Sequence, residues 1–130
     1  MRVEAITPTV VRVNVDGTVR EIPADVVLLA TGRRPNVQGL GLEMLGVDFD
    51  ARGIRVDERG ATNIPGVWAA GDVTGRGWLA HAASRMGEVV VHNLTGRPDR
   101  MRFDAIAGVI YTSPEAATVG LTEDQAKDRK

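Results

Sequence analysis

Residues 64–96 read IPGVWAAGDVTGRGWLAHAASRMGEVVVHNLTG, and this stretch decides the fold. The apolar run Val67–Ala70 predicts a short strand that ends in Gly71 and Asp72. From Leu79 onward, apolar or small residues recur at spacings of three and four, which predicts a helix. Strand, glycine turn and helix in this order are typical of an α/β unit, in which ligands bind beyond the carboxyl ends of the strands.

Asp72 stands at that ligand-binding end, directly after a glycine that permits close approach of backbone or ligand. An ionised carboxylate only accepts hydrogen bonds, so it suits the hydroxyl groups of a ribose or a ribitol chain. The free N–H groups and the dipole at the start of the following helix favour a phosphate. The stretch therefore predicts half of a nucleotide-binding site.

The composition excludes several classes of protein. The chain has 130 residues, 43% hydrophobic and 25% charged, as is typical of a globular domain. Its net charge of −1 and interspersed charges predict no nucleic-acid partner, and its apolar runs fall short of the ~20 residues of a membrane span. Cysteine is absent, which excludes disulfides and a cysteine nucleophile within this chain, and the two histidines are too dispersed for a metal site. We expect a cytoplasmic protein.

The segments before residue 64 read mainly as strands. Val3–Ile6, Thr9–Val15 and Val19–Ile22 predict strands, the last two joined by a turn at Asp16-Gly17. Val26–Ala30 is apolar without alternation, which predicts a strand buried on both faces in a parallel sheet. Further short elements are expected in the ranges Leu40–Leu45, a helical turn, and Ile54–Val56, a strand.

After the long helix, Val109–Thr112 and Ala117–Gly120 predict strands on either side of a break at Ser113–Glu115. Thr122 and Gln125 form a capping box that starts a further helix. Only one full-length helix is then available to cover a strand that needs cover on both faces. We therefore expect a segment of a larger protein, or surfaces completed by another chain, with exposed apolar surface and self-association.

Three blocks of the sequence resemble the FAD- and NAD-dependent disulfide oxidoreductases, with the dihydrolipoyl dehydrogenase branch nearest. ADVVLLATGRRPN (residues 24–36) resembles the end of the family's NAD-binding domain. IPGVWAAGDV with the following WLAH resembles its second FAD-binding signature, and GVIYTSPEAATVGLTEDQA (residues 108–126) resembles the opening of its dimerisation domain. The resemblance covers nearly the whole chain.

The resemblance implies an α/β fold made of partial Rossmann-like domains and the start of an α+β dimerisation domain. Residues 1–36 match the end of the NAD-binding domain, residues 37–104 the second part of the FAD-binding domain, and residues 105–130 the start of the dimerisation domain. The implied cofactors are FAD and NAD. The implied partners are a second copy of the chain and lipoyl-bearing components of 2-oxo acid dehydrogenase complexes.

Residue by residue, Asp72 matches the aspartate that hydrogen-bonds the ribitol of FAD in this family. Trp78, Leu79, Ala80 and His81 match the segment that contacts the flavin, largely through backbone. Trp78 departs from the unbranched or aliphatic residue that is usual there.

Gly32 matches a glycine near the bound NAD. No catalytic residue is assigned, because the family's cysteine pair and its histidine–glutamate dyad are absent from this chain.

The implied activity is oxidation of protein-bound dihydrolipoamide with NAD, through FAD and a redox-active disulfide. Without the cysteine pair, the chain itself is expected to be inactive, supplying part of the FAD site and of the dimer interface. Two alternatives stay open: a non-catalytic self-associating fragment, and a related glutathione- or mercuric-type reductase.

Overall fold

The computed structural model describes residues 1–129, which form two compact units, residues 1–33 and the residues from 34 onward. Both strands and helices are present, as expected for an α/β protein, and none of the described helices is long and apolar enough to cross a membrane. The strands are β1 (Arg2–Ile6), β2 (Val10–Val15), β3 (Thr18–Pro23), β4 (Phe49–Asp50), β5 (Gly53–Ile54), β6 (Gly108–Ile110) and β7 (Ala116–Thr118). The helices are α1 (Leu42–Leu45), α2 (Ala80–Leu94) and α3 (Glu123–Lys127), with single 3-10 turns at Asp72–Thr74 and Phe103–Ala105.

The first unit is an antiparallel meander in the order β1-β2-β3. The predicted turn between β2 and β3 is confirmed: Asp16 and Gly17 both have positive φ, 51° and 88°, as a tight hairpin turn requires. The side chain of Asn14 accepts a hydrogen bond from Gly17 N, which helps to close this turn. Val13, in the central strand, is the buried residue of the sheet.

The predicted strand at Val26–Ala30 is wrong for this structure. These residues pair with no strand among residues 1–129, and Val26, Leu28 and Leu29 are 87%, 87% and 71% exposed. A continuous apolar run is typical of a strand inside a parallel sheet. Here, however, β1, β2 and β3 pair antiparallel with one another. Without parallel neighbours, the run has no ladder to join.

The second unit begins around an apolar cluster of four buried residues, Val37, Leu42, Val47 and Ile54. The helix α1 supplies Leu42 and the strand β5 supplies Ile54, while Val37 and Val47 come from the connecting segments. The predicted helical turn before Gly46 is confirmed, and Gly46 ends α1 in the left-handed conformation, φ 68°. β5 is shorter than the predicted strand at Ile54–Val56, and its partner β4 was not predicted.

The helix α2 carries the second cluster, in which Met86, Val89 and Met101 are almost fully buried. Ala70, Phe103 and Ile106 pack against this cluster as partly buried side chains. The helix begins after Leu79, whose φ and ψ of −132° and 135° are those of an N-cap, with no side-chain cap hydrogen bond.

The predicted strand at Val67–Ala70 is also wrong in its extent. Trp68 forms an isolated bridge with Ala61, and Thr62 N and Ala69 N donate to Val67 O and Gly60 O. The segment is extended, but its partner is a three-residue stretch of loop. The pairing therefore ends after one bridge.

The C-terminal residues form the antiparallel hairpin β6–β7 and the helix α3. The predicted capping box at the start of α3 is confirmed in both directions: Gln125 N donates to Thr122 Oγ1, and Thr122 N donates to Gln125 Oε1. β6 and β7 overlap the two strands predicted around the break at Ser113–Glu115, but both end earlier than predicted, before Tyr111 and before Val119.

Candidate functional site

Asp72 opens the 3-10 turn Asp72–Thr74, called here the Asp72 turn. Gly71 before it has φ 79° and ψ −159°, a conformation that is essentially restricted to glycine. Thr74 closes the turn, since both its N–H and its Oγ1 donate to Gly71 O, at 3.0 and 2.7 Å. The Asp72 carboxylate is thus carried on a turn whose backbone conformation is fixed by these hydrogen bonds.

The Asp72 turn packs directly on β5 through glycine. A Cβ added to Gly53 would lie 2.6 Å from the carbonyl carbon of Thr74 and 2.7 Å from Gly75 N. Gly53 also has φ 121°, so the position requires glycine for both space and conformation. A Cβ added to Gly75 would likewise overlap the backbone of Arg52. This backbone-to-backbone packing fixes the Asp72 turn against the hairpin β4–β5.

The same turn lies beside the first turn of α2. A Cβ added to Gly71 would lie 3.4 Å from Ala83 Cβ, and one added to Gly77 would lie 3.1 Å from Ala82 Cβ. The structure therefore brings the predicted ribitol-binding residue Asp72 and the predicted flavin-contacting segment together. Their juxtaposition rests on small residues on both sides of the contact.

Trp78 has φ 47°, the left-handed region that residues other than glycine rarely adopt. Its strained backbone leads into the extended Leu79, and α2 starts at Ala80 with no side-chain cap. The first N–H groups of any helix lack an intrahelical acceptor, and here the N-cap side chain supplies none either. These N–H groups suit an acceptor atom of a ligand. Ala80 and His81 are exposed at this end.

Trp78 and Leu79 also form one wall of a largely apolar pocket of about 370 Å³. The opposite wall is the hairpin β6–β7, through Val109, Ala116 and Thr118. Sequence reasoning missed these wall residues, because nothing local in the sequence relates the hairpin to the start of α2. A mostly apolar cleft with a carboxylate and free helix N–H groups nearby has the character of a site for an aromatic cofactor.

His81 holds the connection after α2 in place. Its Nε2 lies 2.9 Å from Ala107 O, to which the ring N–H donates. The side chain thereby links the first turn of α2 to the residue immediately before β6. This is a structural use of the side chain.

Gly32, the residue predicted near NAD, lies in the first unit. It is exposed and has φ 97°, and a Cβ added there would meet nothing within 4 Å. The positive φ of Gly32 favours glycine, whereas the space around it would admit a larger side chain. Its role, like those of the FAD-site residues, stays a prediction.

Sequence reasoning also missed a polar cluster at the far end of α2, centred on Asp99. Arg85 Nη2 and His92 Nδ1 donate to the two carboxylate oxygens, each at 2.7 Å, and Arg100 N donates at 2.8 Å. The hydrogen bond from His92, with those from Arg100 N and Arg85, holds the pKa of Asp99 below its ordinary value. The cluster ties the loop after α2 back to the helix.

Comparison with known proteins decides the family. The family model described as pyridine nucleotide-disulphide oxidoreductase matches residues 2–87. The chain belongs to this family. It is 45% identical over 111 residues to dihydrolipoyl dehydrogenase 3 of Pseudomonas putida, covering 85% of this chain and 24% of that protein. It is 47% identical over 108 residues to leghemoglobin reductase of Glycine max, covering 82% of this chain and 21% of that protein.

Solved structures of family members agree with the fold. The chain superposes on LpdA from Mycobacterium tuberculosis with a TM-score of 0.81 at 30% identity, covering 92% of this chain and 26% of that one. For the copper(II) complex of the flavoprotein disulfide reductase RclA from Escherichia coli, the TM-score is 0.79 at 27% identity, with 98% and 30% covered. The chain spans about a quarter of the length of the curated relatives it matches. FAD and NAD are the cofactors of this family, as the sequence resemblance implied.

Proposed function

We propose that this chain supplies part of the FAD site of a flavoprotein that oxidises protein-bound dihydrolipoamide with NAD. The supporting observation is the placement of the Asp72 turn against the first turn of α2, beside the apolar pocket of Trp78 and Leu79. Asp72 accepts hydrogen bonds from ribitol hydroxyls, and the backbone of Leu79–His81 faces the flavin. FAD, when bound, supplies the two-electron chemistry between dithiol and nicotinamide.

The residues present fit this cofactor. Asp72 is half-buried, which strengthens a hydrogen bond from a ligand hydroxyl without requiring full desolvation of the carboxylate. Gly71 and Gly77 allow the backbone to pass close to the first turn of α2, because a Cβ at either position would lie against Ala83 or Ala82. The apolar walls at Trp78 and Val109 exclude water from one side of an aromatic ring.

An Asp72→Ala substitution tests this role. Loss of a charge-assisted hydrogen bond to a bound hydroxyl weakens FAD binding by about 1.5–3 kcal/mol, or roughly one to two decades in Kd. Flavin content after gel filtration and the Kd from flavin fluorescence give the measurement. Asp25→Ala, an exposed aspartate in the first unit, is the matched control and keeps the unaltered affinity. Equal FAD retention in the two variants removes Asp72 from the site.

The same proposal makes the chain inactive on its own, because thiol–disulfide exchange needs an attacking thiolate and the sequence contains no cysteine. Purified chain is assayed with NADH, lipoamide and added FAD, with host enzyme removed. Turnover above the protein-free blank contradicts the proposal.

We also propose that the residues from 105 onward, with the hairpin β6–β7, contribute to a homodimer interface in the cytoplasm. The exposed Ile110 and Tyr111, 62% and 82% exposed, support an interface on this hairpin. Lipoyl-bearing components of 2-oxo acid dehydrogenase complexes are the corresponding partners. The predicted three-part domain division, with boundaries after residues 36 and 104, belongs to this proposal.

A related disulfide reductase is the second candidate, supported by the superposition on RclA, whose description names a flavoprotein disulfide reductase. Both candidates use the same FAD site and differ in the disulfide they reduce or form. A comparison of lipoamide with glutathione disulfide as electron acceptors, in the complete enzyme, separates them. A non-catalytic self-associating module, the third candidate, predicts at most weak FAD binding.

A further inference from the structure

One face of the second unit is lined by arginine side chains and adjoins the Asp72 turn at Thr74. Three neighbouring depressions of about 290, 400 and 450 Å³ share Arg76, and the second and third also share Arg100 and Glu58. We name these three depressions together the arginine cleft. Seven arginines and four carboxylates line it, a local net charge of +3 in a chain whose net charge is −1.

The internal ion pairs leave positive charge available. Asp50 serves two arginines at once, Arg55 at 2.6 Å and Arg52 at 3.5 Å. Glu58 lies 3.7 Å from Arg100, a long contact between two exposed side chains. These pairs are exposed and therefore weak, so a carboxylate from a partner can compete for the guanidinium groups.

Arg76 is restrained by a contact with an aromatic ring. Its guanidinium carbon lies 3.7 Å from the centroid of the Phe103 ring. Stacking on an aromatic face restrains the guanidinium group, which lowers the entropy lost when a carboxylate binds. Arg76 lines all three depressions, so an occupant of any part of the cleft passes it.

The shape of the cleft favours an extended chain over a small molecule. Small-molecule sites enclose most of the ligand between apolar walls, whereas these depressions are open and polar. The carboxylates of Asp50, Asp57, Glu58 and Asp104 are interspersed among the arginines. A nucleic acid carries a phosphate at every nucleotide, and these phosphates would be repelled by the interspersed carboxylates. A peptide can instead place its carboxylates against the arginines and neutral residues with N–H donors against the carboxylates.

We propose that the arginine cleft, with Arg76 stacked on Phe103 at its centre, binds an extended acidic segment of a partner protein. Carboxylates of the segment pair with Arg52, Arg76 and Arg100, and backbone N–H groups of the segment lie against the interspersed carboxylates. This docking function goes beyond the proposed binding of FAD.

The test uses a fluorescein-labelled peptide of about twelve residues that alternates Glu and Ser, long enough to span the cleft when extended. Fluorescence anisotropy at about 50 mM NaCl should show saturable binding, weakened at least about tenfold near 300 mM NaCl because exposed charges are screened. The R52Q/R59Q/R100Q variant should lose about tenfold in affinity at the lower salt concentration. Arg76 is left unaltered because it adjoins the FAD-site segment.

The matched control is R2Q/R20Q/R97Q, which makes the same change in net charge at exposed arginines outside the cleft. It should bind the acidic peptide within about twofold of the unaltered chain. Circular dichroism confirms that both variants fold. Equal weakening in the two variants reduces the effect to net charge and overturns the proposal. Tighter binding of a single-stranded oligonucleotide than of the acidic peptide overturns it in favour of nucleic acid, and an absence of peptide binding overturns it outright.

Discussion

Two apolar runs in this chain have similar sequences and opposite environments. Val26–Ala30 and Val67–Ala70 each consist of apolar residues and lead toward a glycine, and both predict a strand. In the structure, Val26, Leu28 and Leu29 are largely exposed, whereas the residues from Val67 to Ala70 are half-buried. The difference lies in what surrounds each run.

The second run has neighbours on several sides. Val67 and Ala69 pack on the cluster of Val37 and Ile54, while Ala70 packs on the cluster of Met86. Its backbone pairs with residues 60–62. The first run pairs with no strand among residues 1–129. An apolar run thus indicates that burial would be favourable, and the tertiary structure decides whether the run is buried.

The largest expected effect comes from removing the packing under the second run. Met86→Ala should lower the free energy of unfolding by about 2–5 kcal/mol, because it deletes a fully buried side chain and leaves a cavity. Urea unfolding followed by tryptophan fluorescence measures it. Met44→Ala, at a position 88% exposed on α1, is the control and should change stability by less than about 0.5 kcal/mol. Similar losses in the two variants would show that Met86 is not part of a packed core.

The next effect concerns the close backbone packing that follows the second run. Gly53→Ala should cost about 2–4 kcal/mol, because the new Cβ overlaps the backbone of Thr74 and also strains φ. Gly39→Ala separates the two causes: it shares a positive φ, 74°, but meets nothing within 4 Å, so it should cost only about 1 kcal/mol.

Gly53→Ala should also weaken FAD binding, since it displaces the Asp72 turn. Flavin fluorescence and urea unfolding are measured on both glycine variants. A Gly53→Ala protein as stable as Gly39→Ala would falsify the close approach of β5 to the Asp72 turn.

A smaller, pH-dependent effect is expected at the far end of α2. The pKa of Asp99 is lowered chiefly by the hydrogen bond from His92, so its contribution to stability is present above its ordinary value of 3.8. That contribution is lost as the pH falls through the lower folded value. Asp99→Asn should therefore lower Tm near pH 7 and lose most of that deficit once the pH falls below the lowered pKa of Asp99.

Thermal melts across this pH range provide the measurement for Asp99. Asp25→Asn is the control, because Asp25 is exposed and outside this cluster. A deficit for Asp99→Asn that stays constant from neutral to acidic pH contradicts the electrostatic explanation and leaves only a packing change.

The smallest effect on stability, and the one that tests the first run directly, is expected for Leu28→Ser. The side chain is 87% exposed, so the free energy of unfolding should change by less than about 0.5 kcal/mol. Self-association should nevertheless weaken, because an exposed apolar run promotes association. Light scattering over a concentration series measures this, with Leu40→Ser as a control at an exposed apolar residue outside the run. Unchanged association in Leu28→Ser, or a monomeric unaltered chain, contradicts the prediction.

The sequence by itself determined the features that depend on neighbouring residues. The Asp16-Gly17 turn, the helix that contains Met86 and the capping box of Thr122 and Gln125 were predicted because turn chemistry, helical periodicity and capping act within a few residues. Three local signatures at family spacing also sufficed to assign the family, which the family model confirms.

Only the tertiary structure decided which apolar run is covered and which small residues permit contact. Gly53 and Gly75 are two glycines among fifteen, and nothing in their local sequence distinguishes them from glycines that face open space. Arg76 meets Phe103, and the start of α2 meets the hairpin β6–β7, across sequence separations that periodicity cannot bridge. Burial and close approach are properties of pairs of segments, and a pair forms only where the fold brings both of its members together.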